Sequence, residues 1–97
     1  MNVRIQAIHF EAGEKLVDFI NKKAERIARR YPSITDVEVT LKVVKPETAM
    51  NKDVTVRIAA PQHEELVANK VADSFEEAVD LALEALERQL EKHKEKK

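Results

Sequence analysis

The chain has 97 residues, of which 43% are hydrophobic, and its 17 basic and 18 acidic residues leave a formal net charge of −1. This length predicts a single domain over residues 1–97 with one core, and the absence of cysteine excludes disulfides and thiolate chemistry. The near-neutral total excludes nucleic-acid binding driven by net charge alone, so any such role depends on where the charges lie.

The amino-terminal segment alternates between apolar and polar residues and does not resemble a secretory signal. No stretch approaches the roughly 18 apolar residues of a membrane span. These features predict a cytoplasmic protein without membrane contact.

The first half of the chain predicts a strand followed by a helix. Residues 2–9 alternate as a half-buried strand does. Gly13 is an acceptable N-cap, and apolar residues then recur at helical spacing up to Arg30. The helix is expected to end there because Pro32 restricts the residue before it.

Three further strands are predicted in the middle of the chain. Residues 37–43 and 54–58 alternate clearly, whereas residues 66–71 have a mixed pattern. The connection at 45–52 is longer than a tight hairpin needs and is expected to be mobile. A turn is expected at residues 61–62.

A long helix is predicted from Ser74 onward. Ser74 and Glu77 form a capping-box pattern, and an apolar stripe with spacings of three and four continues to Leu90. No Gly or Pro interrupts the following residues, so about six turns are expected.

The predicted order is β-α-β-β-β-α, an α+β fold with two helices on one face of a four-stranded sheet. With a right-handed crossover after the first strand, both helices end at the same edge of the domain. A similar arrangement of strands and helices occurs in double-stranded-RNA-binding domains.

The charges form blocks along the chain. Residues 22–30 contain five basic residues and one acidic, residues 64–87 eight acidic and one basic, and residues 88–97 five basic and two acidic. Both basic blocks lie at predicted helix C-termini, where they complement the helix dipole. Their convergence at one edge also indicates a surface that contacts phosphates.

The element order, together with the segment RQLEKHKEK at residues 88–96, resembles the ribosome hibernation promoting factor family, also called ribosomal subunit interface or sigma-54 modulation proteins. The similarity extends along essentially the whole chain. It includes Leu16 and Phe19 in the first helix and the strand segment at 39–43.

The resemblance implies a stress or stationary-phase factor that binds the small ribosomal subunit or the 70S ribosome. It would lie between head and body at the decoding region, contact 16S ribosomal RNA, and block messenger and transfer RNA without catalysis. Carried over from the family motifs as RNA contacts are Lys23, Arg26, Arg88, Gln89, Lys92, His93 and Lys94. Charge placement adds Lys22, Arg29, Arg30 and the tail residue Lys96.

Two positions depart from the family pattern. Glu76 replaces an aromatic residue early in the second helix, and Ala85 replaces a basic residue before the RQL segment. The chain ends at Lys97 without the C-terminal dimerisation domain of long members, so it resembles a short-type factor. Whether it promotes ribosome dimers, and whether a second hibernation factor takes part, stays open.

The sequence gives less support to other functions. An enzyme is not expected, because the three histidines lie in different elements and the single glycine excludes a glycine-rich phosphate loop. Neither a cofactor nor a small-molecule substrate is predicted, and His63, Glu64 and Glu65 are interpreted as a polar turn, not a metal site. The alternatives left open are a binder of double-stranded RNA and a modulator of transcription that docks through the acidic face of the second helix.

Overall fold

The computed structural model describes residues 2–44, 50–60 and 63–95, with the side chains of residues 63, 64 and 93–95 outside that description. Six elements follow the predicted β-α-β-β-β-α order. They are β1 (Asn2–Ala7), α1 (Glu14–Arg30), β2 (Asp36–Val43), β3 (Lys52–Ala60), β4 (His63–Ala72) and α2 (Phe75–Glu95).

The four strands form one sheet in the order β1-β2-β3-β4. β1 pairs with β2 in parallel, starting from Asn2 opposite Asp36, whereas the two later pairings are antiparallel. The parallel pair requires a crossover connection, which α1 supplies. The register between β3 and β4 shifts between Ile58 and Ala60, as at a β-bulge.

The ends of α1 follow from its local sequence. Gly13 is the N-cap in extended backbone, with φ −68° and ψ 158°, and Glu14 occupies the first turn, where a carboxylate complements the helix dipole. At the other end, Tyr31 leaves the helical region with φ −131° and ψ 78°. The predicted stop before Pro32 is confirmed, because the proline ring disfavours helical backbone at the preceding residue.

The start of α2 is also confirmed. The Glu77 amide donates a hydrogen bond to the Ser74 hydroxyl at 3.2 Å, so one of the unpaired amides of the first turn is satisfied. The helix then runs for 21 residues.

One core lies between the sheet and the two helices. On β2, Val37, Val39 and Leu41 are buried, and the residues between them face the opposite side of the sheet. β3 repeats the pattern with Val54, Val56 and Ile58. The helices cover this layer with the predicted stripes, whose buried members are Ile20, Ala24, Ile27, Ala78, Val79, Ala82, Leu83, Leu86 and Leu90.

Two strand predictions need correction. β1 ends at Ala7 rather than at residue 9, because His9 adopts a left-handed backbone with φ 65° that a strand cannot continue through. β4 runs from His63 to Ala72, so residues 63–65, interpreted as a polar turn, belong to a strand paired with β3.

The predicted turn at 61–62 and most of the connection expected to be mobile, residues 45–49, lie outside the described residues. At the edge of that connection, the Val44 amide donates to the Asn51 carbonyl at 2.8 Å.

Candidate nucleic-acid interface

The two helices lie side by side and run in the same direction. Lys23 on α1 pairs with Asp80 on α2, and Arg30, the last residue of α1, pairs with Glu87. Both pairs join residues 57 positions apart, so the helices keep a constant register along their contact. Both helices therefore end at the same edge of the domain, as predicted.

A cleft of about 400 Å³ follows this contact on the outer surface. We call it the interhelix groove. Three basic residues of α1 form one wall, and three acidic residues with one leucine of α2 form the other. These residues are Lys23, Arg26, Arg30, Asp80, Leu83, Glu84 and Glu87.

Ion pairs cross the groove at both ends. The Lys23 ammonium lies 3.0 Å from an Asp80 oxygen, and Lys23 Nζ also lies 5.4 Å from the centre of the Phe19 ring. Arg30 Nη1 lies 3.1 Å from Glu87 Oε2, while its Nη2 lies 3.7 Å from Glu91 Oε1. Because these side chains are partly exposed, each pair contributes at most about 1 kcal/mol to folding.

Tyr31 follows the last residue of α1 and links it to α2. The residue is 8% exposed, and its hydroxyl donates a hydrogen bond to Glu91 Oε1 at 2.9 Å. The Arg30 guanidinium lies 5.9 Å from the centre of the Tyr31 ring. Burial, together with the hydrogen bond to the Glu91 carboxylate, raises the pKa of the Tyr31 hydroxyl, because both disfavour the phenolate.

Four of the predicted RNA contacts are exposed cations that make no ion pair within the described part of the chain: Lys22, Arg26, Arg29 and Lys92. They project from the carboxyl-terminal halves of the two helices. A phosphate can approach each of them without displacing a protein carboxylate.

The remaining predicted contacts fall into three groups. Lys23, Arg30 and Arg88 are engaged with carboxylates, the last through Glu84 at 2.8 Å within α2. Gln89 is half-buried on the same helix. The side chains of His93 and Lys94 and the whole of Lys96 lie outside the described residues.

The carboxylate wall of the groove was not predicted from the sequence. Asp80, Glu87 and Glu91 of α2 contact basic residues of α1. Periodicity identifies which stripe of a helix is buried, and it does not give the register of one helix against another. The signal available in the sequence was the acidic character of 76–87 opposite a basic α1.

A second cleft of about 400 Å³ lies on the face of the sheet that the helices leave uncovered. We call it the sheet cleft. Arg57 lies at its centre, with Nη1 3.1 Å from Glu65 Oε1 and Nε 3.9 Å from Glu38 Oε1. Arg4 Nη1 lies 3.7 Å from Glu38 Oε2. The residues lining it are Asn2, Arg4, Asp36, Val37, Glu38, Arg57, Ala59 and Glu65.

Neither cleft brings together a set of metal ligands. Among the described residues, no group of three or more histidine and acidic side chains is placed to hold a metal ion. Glu65 accepts a hydrogen bond from Arg57 at 3.1 Å.

Comparison with known families assigns the chain. The model of the family described as "Sigma 54 modulation protein / S30EA ribosomal protein" matches residues 3–97. The chain belongs to this family.

Relatives of this sigma 54 modulation and S30EA member carry the name ribosome hibernation promoting factor. The protein from Pseudomonas putida is 34% identical over 96 residues, covering 99% of this chain and 89% of the relative. The protein from Azotobacter vinelandii is 32% identical over 96 residues, which cover 85% of its length. The predicted family is confirmed.

Solved structures support the fold of this S30EA family member. A ribosomal subunit interface protein from Coxiella burnetii superposes with a TM-score of 0.86 at 24% identity, over 99% of this chain and 100% of that one. The N-terminal domain of Protein Y from Thermus thermophilus gives 0.78 at 19% identity, covering 96% and 99% of the two chains.

Family membership agrees with the expectation that the chain is not an enzyme, since hibernation factors act without catalysis. No helix in the described part of the molecule is long and apolar enough to cross a membrane. The two departures from the family pattern lie on α2, where Glu76 is exposed and Ala85 is half-buried against the core.

Proposed function

We propose that this protein is a hibernation factor that binds the small ribosomal subunit at the decoding region, between head and body, through 16S ribosomal RNA. Its presence there blocks the sites of messenger and transfer RNA and silences translation under stress or in stationary phase. The family and its relatives named ribosome hibernation promoting factor support this proposal. The interaction places the protein on the ribosome in the cytoplasm.

The observation that carries the proposal is a set of exposed cations toward one end of the domain that make no ion pair among the described residues. Arg26 and Arg29 approach this end on α1, and Lys92 reaches it on α2. Phosphates attract such cations irrespective of base sequence, so specificity comes from the shape of the ribosomal channel. The total charge of −1 does not oppose this, because phosphate contacts depend on local charge.

The proposal predicts steep salt dependence. If about five basic residues contact phosphates, log K falls with log salt with a slope of roughly −4. A fourfold rise in salt then weakens binding on the order of two hundredfold. Binding that is insensitive to salt would contradict a phosphate-based interface.

Cosedimentation with small subunits, large subunits and 70S ribosomes tests the proposal. The wild type is expected to sediment with small subunits and 70S particles at low salt and to be released at high salt. Replacing Arg88→Glu and Lys92→Glu should abolish this binding, because two cations of α2 become anions. Arg88 is suitable because its side chain is 75% exposed, and the Glu84 pair that the substitution removes lies on one helix surface.

A matched control carries the same change in net charge on the uncovered face of the sheet, Arg4→Glu with Lys42→Glu. It should bind as the wild type does. Equal affinity for a free RNA duplex and for ribosomes would favour the alternative of a duplex-RNA-binding domain. Absence of binding to every particle would overturn the proposed function and move the transcription alternative forward.

A further inference from the structure

Two of the three cations that line the interhelix groove, Lys23 and Arg30, differ from the exposed cations described above because carboxylates of the same chain already pair with them. Asp80 holds Lys23 at 3.0 Å, and Glu87 holds Arg30 at 3.1 Å. These are the distances at which a phosphate oxygen would bind the same cations. An RNA phosphate and an α2 carboxylate therefore compete for one position.

The competition is confined to the groove. Arg29 and Lys92 project without an ion pair in the described part of the molecule, whereas both walls of the groove carry charges of opposite sign in fixed register. The third acidic residue of the wall, Glu84, is held at 2.8 Å by Arg88 of the same helix. The α2 wall thus restrains cations on α1 and on α2 itself.

We infer that the α2 carboxylates Asp80 and Glu87 are specificity determinants that lower the affinity of this protein for RNA in general more than for its ribosomal site. The inference rests on the proposed function, and it adds a role for acidic residues. A flexible RNA gains phosphate contacts alone, and each contact with Lys23 or Arg30 must first displace a carboxylate. A rigid site that matches the shape of the domain supplies further contacts, which offset the displacement.

The two ion pairs are expected to lower the affinity for unstructured RNA by only a modest factor. Exposed pairs are individually weak, so displacement hinders RNA binding without preventing it. Removing two such pairs should tighten the binding of unstructured RNA about fivefold, the factor that corresponds to two exposed ion pairs of ordinary strength.

The test uses Asp80→Asn with Glu87→Gln, which preserves side-chain size and removes both negative charges. Affinity is measured for a single-stranded RNA of random sequence and for purified small subunits, at low salt. The control is Glu76→Gln with Glu77→Gln, the same change in charge on the same helix, at exposed residues whose side chains make no ion pair among the described residues. Urea unfolding of both variants checks that each is folded.

The expected result is an increase of about fivefold for random RNA and less than twofold for small subunits in the groove variant. The control variant should change both affinities by less than twofold. The increase for random RNA should shrink as salt rises, because salt screens exposed ion pairs.

Four outcomes would overturn the inference. If the groove variant binds both random RNA and small subunits more weakly, the carboxylates position the cations for RNA. Equal tightening in groove and control variants would mean that only total charge matters. A wild type that binds small subunits, together with a groove variant that binds random RNA no more tightly, would refute the inference and leave the proposed function standing. A wild type that binds no ribosomal particle would refute both.

Discussion

The interhelix groove and the sheet cleft have the same volume, about 400 Å³, and both are lined by charged residues in ion pairs. They differ in what surrounds them. The sheet cleft has two cations and three acidic residues in its lining, whereas the groove has three of each. The two helices also carry three cations that make no ion pair within the described residues, Lys22, Arg29 and Lys92.

This difference shows that the number of ion pairs on a surface does not identify it as an RNA-binding surface. Pairing across strands neutralises the sheet cleft, because Arg4, Glu38 and Arg57 lie in register on neighbouring strands. The helices place their surplus cations beyond the reach of the opposing carboxylates. Only the second arrangement leaves charge for an external phosphate.

The largest expected effect comes from reversing the charge of two arginines of α1 that make no ion pair within the described residues. Arg26→Glu with Arg29→Glu should weaken small-subunit binding by about a hundredfold, since each lost charged hydrogen bond contributes about 1.5 kcal/mol. It should also make the salt slope shallower by about two. Filter binding across a salt series measures both quantities.

The sheet-face variant Arg4→Glu with Lys42→Glu carries the same charge change and should keep both the affinity and the slope. If the two variants lose affinity equally, the distinction between the two surfaces is wrong.

A smaller effect is expected at Tyr31, which links the end of α1 to α2. Tyr31→Phe removes the hydrogen bond to Glu91 and should lower the free energy of unfolding by about 1 kcal/mol. Urea denaturation followed by circular dichroism measures the change. An unchanged unfolding midpoint would show that the hydrogen bond from Tyr31 to Glu91 does not stabilise the folded chain.

Tyr31 also predicts a pH dependence. Its pKa is raised in the folded chain by burial and by Glu91, so folding favours the protonated phenol. This contribution is fully present below the unfolded value near 10 and is lost as pH rises through the folded pKa. Because the chain has one tyrosine and no tryptophan, ultraviolet absorbance titrates this group alone. A midpoint at or below 10 would contradict the geometry described for its hydroxyl.

The smallest effects are expected when a single ion pair is removed. The loss in the free energy of unfolding should be similar for the two clefts. Glu65→Gln on the sheet and Glu87→Gln in the groove should each change the free energy of unfolding by less than about 1 kcal/mol, because all the paired groups are partly exposed. Thermal unfolding compares the two. A large loss in the groove variant alone would mean that the helix contact depends on the pair, and would limit what that variant says about RNA.

The sequence was sufficient for the fold because each element carries a strong local signal. Alternation located β2 and β3, and the stops at Pro32 and the start at Ser74 located the helices. The signal failed for β1 beyond Ala7, where a left-handed residue interrupts the strand, and for the first residues of β4, which are polar but paired. Backbone conformation and strand pairing decide these ends, and hydropathy does not report them.

The candidate site was predicted only in part for a similar reason. The convergence of the two basic blocks followed from topology, and the exposed positions of Arg26, Arg29 and Lys92 agree with it. Their assignment as RNA contacts stays a prediction. The pairing of Lys23 with Asp80 depends on how far one helix is shifted along the other, which is set by interlocking core residues spread over the whole chain.

The constant register between the helices leaves α2 longer than its neighbour. Glu87 lies beside the last residue of α1, and α2 continues to Glu95, a further extension of about 12 Å. Leu90 is its last buried residue among those whose exposure is described. A short helical segment without packing is only marginally stable in water, so these last turns owe their helical form to the packed turns before them. Backbone amides of residues 92–95 should therefore exchange with deuterium much faster than those of 79–86, and binding that covers this end should slow them.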